Sequence, residues 1–135
     1  SVGLSGNQTL TNNTWTKITF NSEEFDVGSN FASNKFTAPS SGKYVFTHGI
    51  YMWVSGGNDW ENYSVRLYKN GSGLSSTYSQ FSLASANLLE VAIPASFILD
   101  LSANDYIEVY AKLSSSGATS RQVDATSRFQ GYKLA

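Results

Sequence analysis

The chain of 135 residues contains no cysteine, a single histidine, a single methionine and two prolines. Without cysteine there is no disulfide and no thiolate metal site. That is compatible with any compartment, because a domain of this length can hold a core without covalent staples. One histidine leaves few ways to build a base beside an activated serine, and none of the many serines stands in a Gly-x-Ser-x-Gly turn. Hydrolysis by a catalytic triad is therefore not expected. No apolar run approaches about 18 residues, so no helix can span a bilayer. Charge is sparse at 14%, the net value is −1, and the nine lysines and arginines never form a run. A nucleic-acid footprint needs clustered cations, so nucleic acid is not an expected partner. No segment carries a sustained helical period between a start cap and an end cap.

What remains is rich in aromatic residues, at 14%, set among Ser, Thr, Asn and Gly. Aromatic and β-branched residues alternating with small polar ones suit short strands joined by many turns, so the chain reads as all-β. A strand is expected near 14–20, with Thr16, Ile18 and Phe20 inward. Phe25 and Phe31 look like anchors in the polar stretch that follows. The longest strand, 43–54, reads KYVFTHGIYMWV. Tyr44, Phe46, His48, Ile50, Met52 and Val54 share one face, and Val45, Thr47, Tyr51 and Trp53 share the other. Both faces are apolar, which predicts that both are covered. A strand over 62–69 puts Tyr63, Val65 and Leu67 inward and Arg66 and Tyr68 outward. Asn70-Gly71 ends it with the pair that best suits a two-residue type I′ hairpin turn. A weaker strand is expected at 76–83 and a further one at 91–101, where Pro94 marks its beginning, an edge or a bulge. A strand at 106–113 turns Ile107, Val109, Ala111 and Leu113 inward, and 114–126 reads as a long polar loop. No repeat or linker divides residues 1–135. About eight to ten strands with regular turn signals suit a sandwich, a jelly roll or a barrel.

Several ordered fragments carry a resemblance. They are Phe25-Asp26, Phe36-Thr37-Ala38-Pro39 and Gly42-Lys43-Tyr44-Val45-Phe46, followed by Val65-Arg66-Leu67 with Lys69-Asn70-Gly71. Leu101, Asp105, Ile107 and Val109 come next, then Phe129-Gln130-Gly131 with Leu134. In this order and spacing the chain resembles the globular-head domain of the first complement component, whose jelly roll is shared with the tumour necrosis factor superfamily. Asn104 stands where that pattern usually has glycine, and asparagine also tolerates positive φ. The resemblance implies a two-sheet jelly roll of about ten antiparallel strands, assembled as a homotrimer. In that arrangement the second apolar face of 43–54 meets neighbouring subunits, making Val45, Thr47, Tyr51 and Trp53 interface candidates. The competing account covers them with a loop or the N-terminal segment of the same chain.

Other candidates for chemistry are few. His48 points inward and reads as a hydrogen-bonded core residue. Asp100 and Asp105 flank a Ser-Ala-Asn turn and could share a hard cation such as Ca²⁺, although capping the turn is the competing role of Asp105. No other cofactor is implied. Tyr106, Glu108 and Tyr110 form an outward stripe, with Arg66 and Tyr68 outward on a strand the resemblance makes its neighbour. These are either cross-strand pairs, Arg66 with Glu108 and tyrosine beside tyrosine, or a face for sugar or protein. Trp60 lies in a loop, either as a binding aromatic or as a plug over the end of the sandwich. Four Asn-x-Ser/Thr sequons, at Asn7, Asn12, Asn62 and Asn70, carry little weight in a chain so rich in these residues.

Together these readings describe a non-catalytic trimeric recognition and assembly head, extracellular or on a virion, binding a host protein or a surface glycan. The expected context is the C-terminal head of a longer fibrous or structural protein, such as a phage tail fibre. The alternative is a monomeric carbohydrate-binding module cut from a larger enzyme.

Overall fold

The computed structural model describes residues 1–56, 61–83 and 90–134. Its strands, in chain order, are β1 (Val2–Gly3), β2 (Gln8–Thr9), β3 (Thr16–Lys17), β4 (Ser22–Glu23), β5 (Phe31–Ala32), β6 (Lys35–Thr37) and β7 (Gly42–Ser55). Then come β8 (Glu61–Lys69), β9 (Ser72–Gly73), β10 (Ser79–Leu83), β11 (Glu90–Leu101), β12 (Tyr106–Ser115), β13 (Ser120–Val123) and β14 (Arg128–Lys133). A short 3₁₀ turn spans Ser75–Thr77, and no α-helix occurs among the described residues.

All pairings are antiparallel and build two seven-stranded sheets, a jelly-roll sandwich. One sheet is centred on β7, which takes β11 along one edge and β14 with β13 along the other. The second runs β10-β8-β12-β6-β5, with β3 also on β12 and β9 on β8. Alternation in the sequence transfers directly into layers. Tyr44, Phe46, His48, Ile50, Met52 and Val54 are all buried on the inner side of β7. Tyr63, Val65 and Leu67 of β8 and Ile107, Val109, Ala111 and Leu113 of β12 are buried opposite them. Between the sheets runs a column of rings, with Phe20 stacked on Phe129 at 5.9 Å, Phe129 on Phe46 at 5.7 Å, and Phe46 on Tyr44 at 6.3 Å. Each such buried side chain is worth about 1.5–3 kcal/mol of transfer free energy.

Turn chemistry agrees with the reading. Asn70 and Gly71 both have positive φ, 52° and 79°, and join β8 to β9 with Lys69 opposite Ser72. Asn104 has φ 71°, the left-handed conformation expected for the glycine it replaces. Pro94 falls within β11, opposite Gly49, and among the described residues β11 pairs with β7 alone. Of the three roles open to this proline, the edge strand is the one it takes, since it has no N–H to offer a second neighbour.

Four expectations change. The strand expected at 14–20 pairs in register with β12 only over Thr16–Lys17, with one further backbone bond from Ile18 N to Val109 O at 2.9 Å. Its other edge is held by the Gln8 side chain, whose amide donates to Lys17 O at 2.8 Å and whose carbonyl accepts from Thr19 N at 2.9 Å. The 76–83 strand begins at Ser79, after the 3₁₀ turn in which Thr77 is buried. Residues 114–126 are not one loop: β12 runs to Ser115, and β13 pairs with both β7 and β2. Phe25 is no anchor, being 63% exposed, whereas Phe31 packs on the core at 6.5 Å from Phe129.

Candidate functional site: the two outer faces

The outer face of the β7 sheet carries Val45, Thr47, Tyr51 and Trp53 in one row along β7. Register places Ile98 of β11 on one side of Val45 and Tyr132 of β14 on the other. Thr47 lies likewise between Ser96 and Gln130. Ile98 and Tyr132 are 64% and 63% exposed, and Tyr51 is 39% exposed. The result is an apolar row, Tyr132–Val45–Ile98, open to solvent in the single chain. Val45, Thr47 and Trp53 are half-buried, and the Trp53 side chain hydrogen-bonds to Asp124, holding that carboxyl below its usual range together with Thr126. Sequence reasoning missed Ile98 and Tyr132. The signal was there for Ile98, which is apolar at an outward position of the 91–101 alternation.

The outer face of the β12 sheet has a different make-up. Tyr68 and Tyr110 stack with ring centres 3.8 Å apart. Trp15 stands edge-on to Tyr68 at 6.4 Å and to Tyr78 at 6.1 Å. The Arg66 guanidinium lies 4.6 Å over Trp15, 5.5 Å over Tyr68 and 6.0 Å over Tyr78. Lys112 reaches over Trp15 at 5.3 Å, and Lys35 over Tyr106 at 4.4 Å. The structure thus brings Arg66, Tyr68, Tyr106, Glu108 and Tyr110 onto one face and adds Trp15, Lys17, Lys35, Tyr78 and Lys112. Trp60 lies outside the described residues. The expected Arg66–Glu108 pair does not form. Register sets Arg66 opposite Tyr110 and Glu108 opposite Tyr68, and the Glu108 carboxylate instead takes Lys17 Nζ at 3.0 Å. Burial, then the charge of Glu108, pushes the Tyr110 phenol up.

At the 102–105 turn, Asp105 acts as a cap. Its Oδ2 accepts from Ser102 N at 2.8 Å and pairs with Lys69 at 2.8 Å, while Oδ1 accepts from Asn70 Nδ2 at 2.7 Å. These donors pull its carboxyl down to about 2. Both oxygens are thereby committed, and Asp100 is engaged through its backbone carbonyl, which accepts from Lys69 Nζ at 3.2 Å. Among the described residues no three acidic or histidine side chains gather as a metal set.

His48 is 5% exposed, with Nδ1 3.1 Å from Ile93 O, so burial pulls the imidazole down to about 4. Glu61, equally buried, accepts from the Tyr63 hydroxyl at 2.5 Å. Burial first, and then that carboxylate, drive the Tyr63 phenol well above its ordinary range. A cavity of about 300 Å³ opens beneath the 25–31 segment, lined by Phe31, Phe36, Tyr44, Phe46 and Phe129. Its polar neighbours are already engaged: Asp26 accepts from Phe31 N at 2.8 Å, and Lys133 donates to Ser40 Oγ at 2.9 Å.

No helix among the described residues is long and apolar enough to cross a membrane. No curated protein sequence matches the chain. Among solved structures, the globular domain of the zebrafish complement 1qA protein superposes with a TM-score of 0.66 at 15% identity, covering 99% of this chain and 94% of that one. The Eiger TNF of S. frugiperda superposes with a TM-score of 0.62 at 14% identity, covering 99% and 89%. At such identities the likeness is one of fold. The model of the C1q domain matches residues 1–134. With nearly every residue inside that match and two sheets in the same jelly roll, the chain belongs to the C1q domain family.

Proposed function

We propose that this domain is the trimeric recognition head of an extracellular or virion fibre, and that it binds a glycan on a host surface. Domains of this family are typically non-catalytic recognition modules that work outside the cell, typically as trimers. The division of labour between the two sheets supports the reading. Three β7 sheets packed about a common axis would remove the Tyr132–Val45–Ile98 row from water, together with Tyr51 and the exposed side of Trp53. The β12 face then stays outward.

The observation that carries the recognition role is the stack of Tyr68 on Tyr110 beside Trp15 and Arg66. Flat rings with polar tips suit the apolar faces and hydroxyls of a sugar. A glycan array read alongside sedimentation tests both halves. A trimer that loses glycan binding on Tyr110→Ala or Tyr106→Ala, with assembly intact, is the expected result. A monomer at micromolar concentration that still binds glycans would favour an isolated carbohydrate-binding module. A trimer that binds no glycan would point to a protein ligand instead.

A further inference from the structure

The charges on the β12 face are unevenly paired. Among the described residues two acids stand on it or at its rim, and each is already held: Glu108 by Lys17 at 3.0 Å and Asp105 by Lys69 at 2.8 Å. Lys35, Arg66 and Lys112 have no acidic partner among the described residues. All three lie over aromatic rings of the same sheet. Arg66 is the extreme case. Its guanidinium is half-buried and donates no hydrogen bond to any described residue, and its Nε is shut off from solvent without a partner. A guanidinium has five N–H donors, and a desolvated one without an acceptor is costly unless something supplies it.

The slot that holds it is built rather than incidental. Trp15, Tyr68 and Tyr78 surround the guanidinium, and Gly73 closes the remaining side. A Cβ at residue 73 would lie 2.9 Å from Arg66 Cζ and 3.0 Å from Nε, so only glycine leaves the group where it is. Next to the slot stand groups that both donate and accept. They are Tyr78 OH, Asn62 and Gln80, the first two braced by the fully buried Ser64 Oγ, which is 3.2 Å from Tyr78 OH and donates to Asn62 Oδ1 at 2.8 Å. The hydroxyls of Tyr68 and Tyr110 make no hydrogen bond with described residues.

Resting on the recognition role given above, we infer that the β12 face binds an acidic saccharide, with Arg66 taking its carboxylate or sulfate. Lys112 supplies a second positive charge over the same Trp15 ring, and the stacked tyrosines carry the flat side of a sugar. An unpaired planar fork matches a two-oxygen anion, which is the geometry arginine binds best. The exposed Tyr78 ring and the open edges of the half-buried Tyr68 and Tyr110 match pyranose faces, and the amide and hydroxyl groups nearby match sugar hydroxyls. A nucleic-acid backbone fits less well. The net charge of the chain is −1, and the free cations are spread over three strands rather than along a track.

The test uses the intact domain immobilised as the assembled protein, with defined probes. Oligogalacturonate and sialyllactose carry carboxylates, a heparin-derived hexasaccharide carries sulfates, and lactose is neutral. Polyglutamate and oligo(dT) are anions without this sugar chemistry. Binding to at least one acidic saccharide, at least tenfold tighter than to lactose and weakened by salt, is expected. Whether carboxylate or sulfate probes win identifies the acid. Arg66→Gln should lower that affinity at least tenfold and Lys112→Gln by a few fold. Gly73→Ala, which keeps the charge but displaces the fork, should fall close to Arg66→Gln. Unchanged sedimentation and melting would show that these variants remain folded.

Affinity for lactose equal to that for the acidic sugars, with Arg66→Gln silent, would overturn the inference while leaving the recognition head standing. Equal binding of polyglutamate or oligo(dT) would also overturn it, by reducing the face to a charge patch. Failure of every probe would remove both the acidic-saccharide inference and the glycan reading on which it rests. Loss of binding in Arg66→Gln with full retention in Gly73→Ala would show that charge alone is read, and would remove the fork from the account.

Discussion

The two outer faces of this sandwich come from sheets with the same pairing rules and the same inner chemistry, yet they solve solvent exposure in opposite ways. On the β7 sheet, large apolar side chains lie side by side with few polar tips, and Ile98 and Tyr132 remain mostly exposed. On the β12 sheet, the rings are capped by cations, with Arg66 over Trp15 and Lys35 over Tyr106. A cation over a ring keeps its hydration on one side and its attraction on the other, so a face made this way is stable in water. An aliphatic row has no such option and is satisfied only by another apolar surface. Under the function proposed above, the first face would pack on a copy of itself and the second would take a smaller polar partner.

The largest expected effect comes from breaking the apolar face. Ile98→Asp changes an outward residue on an edge strand, so it costs little in the single chain. In a trimer it buries three unpaired carboxylates, at several kcal/mol each, and assembly should be lost. Sedimentation should then give a folded monomer with an unchanged circular dichroism spectrum. If Ile98→Asp stays trimeric at micromolar concentration, the two faces have been assigned the wrong way round. The matching change on the other face, Tyr110→Ala, should leave assembly untouched.

Acid should separate the faces next. His48 lies on the inner side of the same strand that presents Val45 and Thr47, and its imidazole is held down to about 4 by burial. The unfolded chain takes up this proton near pH 6.5, while the folded chain refuses it until about pH 4. Stability is therefore complete above about pH 6.5 and falls by roughly 1.4 kcal/mol per pH unit until the folded state also protonates, about 3 kcal/mol in all. Urea unfolding between pH 7 and 5 measures the slope above the range in which Asp105, held down to about 2, contributes. His48→Gln should flatten it. An equally steep slope in that variant would exclude His48 as the source.

Why some of this was legible and some not follows from how far apart the determinants lie. Inward and outward residues of β7, β8 and β12 could be read because strand alternation is local, and Asn70-Gly71 because its turn needs only its own two residues. The extent of β3 was not legible, since it is held in part by the side chain of Gln8, and β13 was missed because it is the polar stretch Ser-Arg-Gln-Val. Face membership of Arg66 and Tyr110 was legible, but their pairing was not. A shift of two residues in register decides whether Arg66 meets Glu108 or Tyr110, and because such a shift keeps every side chain on its own face, the alternation does not reveal it. Trp15 alternates with the inward set Thr16, Ile18 and Phe20, but its place under Arg66 depends on β3 meeting β12, a contact between distant parts of the chain.

The Lys17–Glu108 pair offers a smaller test of the polar face. Glu108 is 7% exposed, so Lys17→Ala should leave its carboxylate poorly solvated and cost about 1–2 kcal/mol. Thermal melting would show it as a drop of a few degrees. Adding Glu108→Gln should recover part of the loss, because the orphaned charge is then gone. No recovery would mean that Lys17 holds β3 in place by packing and not by charge.

The smallest expected effect decides what the tyrosines are for. If the Tyr68–Tyr110 stack only joins two strands, its value lies in the rings, worth about 0.5–1.5 kcal/mol beyond burial. Tyr110→Phe keeps the ring and removes a hydroxyl that bonds no described residue, so stability should stay within about 0.5 kcal/mol of the parent. Tyr110→Ala should cost about 1 kcal/mol or more, as expected for a lost cross-strand aromatic pair. The two accounts part over binding. A purely structural stack gives a Phe variant that binds saccharide as the parent does. A recognition surface whose hydroxyl touches the sugar gives a Phe variant that melts normally and binds several fold more weakly. Equal binding by Tyr110→Phe and by the matching Tyr68→Phe would leave the stack with a structural role and place the polar contacts on Arg66, Asn62 and Gln80.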